Sequence, residues 1–251
     1  MNRITLLPLA LSIAACSTST PPTRAQYDDT AQALASTTAT SGGGGDVGSM
    51  ADSVTIAQGA MPTGFTLLGD GHVQGTHLGL DYSYDIVCKT VAGAVGPCSA
   101  TTDQASVDVA WSGSLATTYV DASVTRDGSW SVTGLQSDTA TFSGKGTFSF
   151  DATVRSIFRP GAQATYAFDA SAAYDAIQIA TQARQVIGGS ASFDLSAHAQ
   201  VTGAGASNTD ASFDIHAQIT FHADHTADLV LDGSQHYALD LTTGGVIRVS
   251  L

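Results

Sequence analysis

Leu78-Gly79-Leu80-Asp81-Tyr82-Ser83-Tyr84-Asp85-Ile86-Val87-Cys88-Lys89 is the stretch that decides the fold. Leu78, Leu80, Tyr82, Tyr84, Ile86 and Cys88 alternate with Gly79, Asp81, Ser83, Asp85, Val87 and Lys89. A period of two sends one set of side chains into a core and leaves the other mostly in water. The pattern returns in Val107, Val109 and Trp111, in Phe148, Phe150 and Ala152, and in Phe213, Ile215, Ala217, Ile219 and Phe221. From Thr63 onward no long helical period interrupts it. Parallel crossovers through helices are therefore not expected. At ordinary strand-plus-turn spacing this part of the chain makes about 12–15 strands.

The turn signals fall between such runs. Asp127-Gly128 reads as a two-residue hairpin between residues 119–125 and 129–133. Asp70-Gly71, Gly144-Lys145-Gly146, Gly188-Gly189, Ser207-Asn208 and Asp232-Gly233 are further candidates. Phe-Asp steps recur at Phe150-Asp151, Phe168-Asp169, Phe193-Asp194 and Phe213-Asp214, as expected of a meander with one inward Phe and one outward Asp per hairpin. The expected fold is all-β: a large antiparallel meander, curled barrel-like or folded as a sandwich, with one or two short N-terminal helices. A sheet of so many strands rarely stays flat.

Composition narrows the function classes. The 251 residues hold 22 acidic and 9 basic side chains, a net charge of −13, and every acid is an aspartate. That balance repels phosphate backbones, so nucleic acid is not an expected partner. Charged residues reach only 12 %, too few for a coiled coil, and 43 % hydrophobic content is enough for a core. Ile247, Val249 and Leu251 alternate as a last barrel strand would. Aromatics at 7 %, however, are too sparse for the two girdles of a membrane-spanning barrel.

The N-terminus carries a different signal. Met1, Asn2 and Arg3 form a short positive region, and an apolar run at 4–15, broken by Pro8, is too short to span a bilayer. Ile13-Ala14-Ala15-Cys16 resembles the lipobox of bacterial lipoproteins. The resemblance implies cleavage before Cys16, diacylglycerol on its thiol and an acyl group on its amino nitrogen. Ser17, where the enteric retention rule has aspartate, implies the outer membrane. More than one acyl chain gives firm anchoring.

The chain therefore divides into a signal peptide (1–15), a lipid-anchored tether (16–62) and a β domain (63–251). Residues 17–24 are expected to be extended. Tyr27, Ala31 and Leu34 suggest a short helix, and Gly42 to Gly45 a flexible linker. Asp46 or Ser49 caps a second helix bearing Val47, Met50, Ala51 and Val54, stopped by Gly59 and Pro62.

With Cys16 assigned to lipid, Cys88 and Cys98 are expected to form a disulfide around a small loop. Among the histidines, His216 and His222 share a polar strand face with Gln218 and Thr220. With a hairpin tip at 224–226, Asp228 is expected opposite His222 and Asp232 opposite Gln218, with His225 at the tip and His236 beginning the next strand. His216, His222 and Asp228 are weak candidates for a metal or hydrolytic site, and no metal or cofactor is assigned. His72 and His77 read as surface residues near a turn.

No Gly-x-Ser-x-Gly elbow or Ser-x-x-Lys is present, and His-Glu-x-x-His is impossible without glutamate. Asp81 and Asp85 share a strand face, as alternation alone produces. The expected role is a non-enzymatic envelope-structural or interaction protein with an unspecified protein partner. The alternative is a carrier of an apolar ligand, in which small residues such as Ala110, Ala122 and Ala167 leave an internal void.

Overall fold

A computed structural model describes residues 20–39, 45–77, 79–202 and 209–250. The lipobox, most of the glycine linker, Leu78, Ser207-Asn208 and Leu251 lie outside the described residues. Among the described residues two helices, α1 (Arg24–Thr38) and α2 (Gly45–Ala57), precede thirteen strands. These are β1 (Phe65–Gly69), β2 (His72–His77), β3 (Leu80–Thr90), β4 (Val95–Gly96), β5 (Thr102–Ala116), β6 (Val120–Thr133), β7 (Thr139–Arg155), β8 (Gln163–Ala180), β9 (Gln185–Thr202), β10 (Thr209–Phe221), β11 (Thr226–Leu231), β12 (Gln235–Asp240) and β13 (Val246–Arg248).

All pairings are antiparallel and follow chain order from β1 to β13, with the short β4 beside β3 where β2 has stopped. The expected meander is thus one sheet. It is neither closed into a barrel nor doubled into a sandwich, and β1 and β13 are its edges. The sheet curls around the helices: α1 touches β6 and β7 in the middle and β11, β12 and β13 at one end, while α2 touches β3, β5 and β9.

The alternation sorts the faces as read. Leu80, Tyr82, Tyr84, Ile86 and Cys88 point inward, as do all four Phe of the Phe-Asp steps, whose aspartates are exposed. Phe150 and Phe168 are cross-strand partners, stacked at 4.5 Å between centroids.

The helices are core rather than tether. Leu34 and Val54 are fully buried and Met50 nearly so. The Thr23 hydroxyl accepts from the Gln26 N–H at 3.3 Å, and the Gln26 side chain accepts from the Thr23 N–H at 2.7 Å, a capping box that starts α1. At the far end of α2, Gly59 takes a φ of +82°, its N–H bonding Ile56 and the Ala60 N–H bonding Thr55. That double bond satisfies the last carbonyls, and Gly59 ends the helix where its sequence signal stood.

Three expected turns are instead mid-strand. Asp127-Gly128 lies inside β6, Gly144-Lys145-Gly146 inside β7 and Gly188-Gly189 inside β9. The first two stretches supply room rather than reversal. Gly128 pairs Gly146 and Trp130 pairs Gly144 across the β6–β7 ladder. A Cβ on Gly146 would stand 1.9 Å from the Arg126 guanidinium, and one on Gly144 2.3 Å from the Ser129 carbonyl. Gly189 (φ +96°) sits where the β8–β9 register slips. Asp70-Gly71 and Asp232-Gly233 are true hairpin turns, all four residues having positive φ.

Candidate functional site

The inner face of β6 reads Val120, Ala122, Val124, Arg126, Gly128, Trp130, Val132, an arginine standing in an apolar period. Arg126 is 1 % exposed. A charge so placed needs a partner of opposite sign, because an unpaired ion costs several kcal/mol in such surroundings. The first turn of α2 provides it: Arg126 Nε donates to Asp46 Oδ1 at 2.8 Å. Tyr174, on β8, donates its hydroxyl proton to the other Asp46 oxygen while accepting from Arg126 Nη2. Arg126 Nη1 is shared between the Asp127 and Thr147 carbonyls. The guanidinium also lies over the Tyr174 ring at 5.5 Å and the Phe148 ring at 6.0 Å.

The same construction recurs along both helices. Asp28 accepts from the Tyr237 hydroxyl at 3.0 Å and from Arg248 Nε at 2.7 Å. Asp29 accepts from the Tyr166 hydroxyl at 2.8 Å and from Arg159. Asp52 stands beside Tyr84. Each helix aspartate thus meets a tyrosine of the curled sheet, and three of the four also meet an arginine.

Burial, then the neighbouring carboxylates, pushes Tyr166, Tyr174, Tyr84 and Tyr237 above the ordinary phenol value, so they remain protonated donors. Burial works against the Arg126 charge, yet Asp46 and Tyr174 hold its pKa above the usual guanidinium value. Asp52 differs: desolvation raises it to about 6, opposed by His77, Tyr84 and Arg184. The seam therefore fixes protons and charges in place, and its chemistry is that of a fastening.

Four histidines, His72, His198, His216 and His222, occupy the outer face, whereas His77 lies on the inward parity of β2, near Asp52. His216 pairs Asp194 at 2.8 Å and His222 pairs Asp228 at 3.1 Å. His72 pairs Asp85 at 2.7 Å and His198 pairs Asp210 at 3.2 Å. The β10–β11 register sets Thr220, not His222, opposite Asp228, and brings Asp232 to the His216 backbone. The expected register is off by two residues because β11 begins at Thr226, which bonds back to His222. His216, His222 and Asp228 are consequently split between two separate His–Asp contacts. Among the described residues no three His, Cys or Asp side chains converge as a metal site would require. His225 does lie at the tip, with φ +61°. Asp81 accepts from Thr76 and Asp85 from His72, so these two carboxylates serve different neighbours.

Cys88 and Cys98 stand at bonding distance, Sγ–Sγ 2.03 Å, tying the end of β3 to the loop beyond β4. Of the alanines expected to leave a void, Ala122 faces inward, whereas Ala110 and Ala167 face outward. The concave space is occupied by α1 and α2. Among several open concavities of similar volume are a 680 Å³ trough across the outer face, walled by Asp85, Asp108, Asp127, Asp194 and Lys145, and a 460 Å³ apolar groove beside Ile56, Met61, Leu67, Val73 and Val95.

Nothing in the sequence announced the Asp–Tyr seam as such, since its partners lie tens to hundreds of residues apart. The one available signal was Arg126 itself, at an inward position of an apolar alternation. No protein-family model, curated protein or solved structure matches the chain.

Proposed function

We propose that this protein is a lipid-anchored, non-enzymatic lipoprotein of the bacterial outer membrane, with an envelope-structural or interaction role. The observation that carries the reading is Ile13-Ala14-Ala15-Cys16 at the end of a short apolar run. In support, Asp28, Asp29, Asp46 and Arg126 are engaged by one another's elements in the helix–sheet seam, and the catalytic motifs sought in the sequence are absent. The acidic outer face keeps the domain soluble beside its anchor.

The test is whole-cell fractionation with intact-mass measurement. The native chain is expected in the membrane fraction, starting at Cys16 and carrying acyl mass. Cys16→Ser is expected to lose both the acyl mass and the membrane association. A native chain recovered soluble and unmodified defeats the reading.

A second reading, a carrier of an apolar ligand, rests on the groove beside Ile56 and Leu67. It predicts a lipid mass retained on the folded chain in native mass spectrometry, lost in Val73→Trp. A clean protein mass removes it.

A further inference from the structure

Antiparallel order puts the β5–β6, β7–β8, β9–β10 and β11–β12 connections at one end of the sheet. The chain enters at that end. The Thr20 N–H donates to the Ser212 carbonyl near the start of β10 at 3.4 Å, and Arg24, opening α1, bonds Gln235 at the start of β12. Cys16 lies four residues before Thr20, so any group on its thiol is held within ~14 Å of this fixed point. A tether that short does not let the domain stand away from its anchor.

Half of the basic residues among the described ones gather there too. Among nine basic residues in a chain of net charge −13, Arg24, Arg155, Arg159 and Arg248 gather at this end. The connections at the opposite end carry Asp70, Asp138 and Asp224, with Asp103 and Asp240 at the adjoining strand ends, and they also carry Arg184, with Lys89 near the end of β3. Two of the carboxylates paired with these arginines, Asp28 and Asp29, are 1 % exposed, the third, Asp121 on Arg155, is 46 % exposed, and the arginine side chains are 33–53 % exposed. Solvent at this end therefore meets these arginines, alongside the exposed carboxylates of Asp121, Asp210 and Asp232.

Between Tyr119 and the β7–β8 loop lies a cavity of 470 Å³, lined by Thr118, Tyr119, Arg155, Ser156 and Gln163. Tyr119 is 49 % exposed at its rim, and the buried Ser156 hydroxyl has no hydrogen-bond partner among the described residues. An exposed tyrosine among arginines is the side-chain set that settles at a lipid headgroup layer.

We propose that this end of the sheet lies against the membrane holding the anchor, and that the cavity between Tyr119 and Arg155 receives the phosphate of an anionic lipid headgroup. The placement rests on the lipoprotein reading above.

The test uses the chain from Cys16 onward, coupled through that thiol to a maleimide lipid in vesicles. The vesicles are phosphatidylcholine alone or an equal mixture with phosphatidylglycerol, with a quencher at headgroup depth. A fluorescent unnatural side chain reports from Thr118 or, in a second preparation, from Asp138.

Strong quenching at Thr118 and little at Asp138, deepened by phosphatidylglycerol, is the expected result. Arg155→Gln is expected to weaken the phosphatidylglycerol effect about fivefold. Tyr119→Ser, which leaves the ion pairs intact, is expected to weaken it as well. Equal quenching at both positions overturns the orientation, and quenching indifferent to phosphatidylglycerol and to Arg155→Gln overturns headgroup recognition. Because the coupling is chemical, these outcomes are independent of whether the cell acylates Cys16, which intact mass reads separately.

Discussion

Arg126 shows how a single inward charge organises its surroundings. It is affordable because Asp46, Tyr174 and two carbonyls take its donors, and because Gly146 leaves its guanidinium space. Removing one partner of such a pair strands the other. Arg126→Met is therefore expected to cost about 3–5 kcal/mol in urea unfolding. Arg126→Met combined with Asp46→Leu should recover most of that loss. A double variant as unstable as the single one would show that packing, not the stranded carboxylate, sets the cost. Asp52 behaves oppositely. Its carboxyl is raised from 3.8 to about 6, so the folded state holds a proton that the unfolded state has released between those values. Stability then rises as pH falls through 6 toward 4, and above pH 6 the charged Asp52 weighs against the fold. Asp52→Asn is expected to stabilise by about 1–3 kcal/mol at pH 8, the gain fading to nothing near pH 4. Melting curves of both proteins across that range decide it, and a gap independent of pH would sink the assignment.

At the scale of elements, the disulfide secures a corner rather than the sheet. Cys88 ends the inward run of β3, and the loop it ties to Cys98 continues into Ser99, against which Gly59 closes α2. Cys88→Ala with Cys98→Ala is expected to cost about 2–3 kcal/mol. Amide exchange should quicken first at residues 91–101 and at Gly59 and Ala60. Uniform quickening across β6–β9 would instead make the bridge a global support. The strands were legible because one residue's neighbours in sequence reveal its face: Tyr82, Val109 and Phe150 each sit in a clear alternation. Asp70-Gly71 and Asp232-Gly233 were legible as turns for the same local reason. Asp127-Gly128 and Gly144-Lys145-Gly146 were not, because a glycine clearing space for Arg126 or Trp130 on the next strand looks locally like one that reverses the chain. The His216, His222 and Asp228 grouping failed through register, which depends on where β11 starts rather than on composition. The docking of α1 and α2 was illegible for a further reason: Asp28, Asp29 and Asp46 read as solvent-facing until Tyr237, Tyr166 and Tyr174 are known to stand opposite.

For the whole molecule, the curled sheet and the helices are each incomplete without the other. An open antiparallel sheet of this length exposes an apolar inner face, and α1 and α2 cover it from β3 round to β13. The helices alone lack a wide apolar stripe and carry aspartates that only the sheet's tyrosines and arginines satisfy. If residues 16–62 were a tether, a chain starting at Pro62 would fold. The architecture says that it does not: Leu34, Met50, Val54 and Ile56 would leave Tyr84, Phe168, Phe213 and Leu229 facing water. Arg126, Arg159 and Arg248 would also lose their carboxylates. The truncated chain is expected to bind a hydrophobic dye, to lack a cooperative melting transition and to aggregate through its newly bared face. Adding residues 20–61 back as a separate peptide should restore part of the native near-ultraviolet signal, since the groups that bind it are already arrayed on the sheet. A truncated chain that melts cooperatively as a monomer would return the helices to the status of a tether. It would also remove the short link on which the proposed membrane orientation rests.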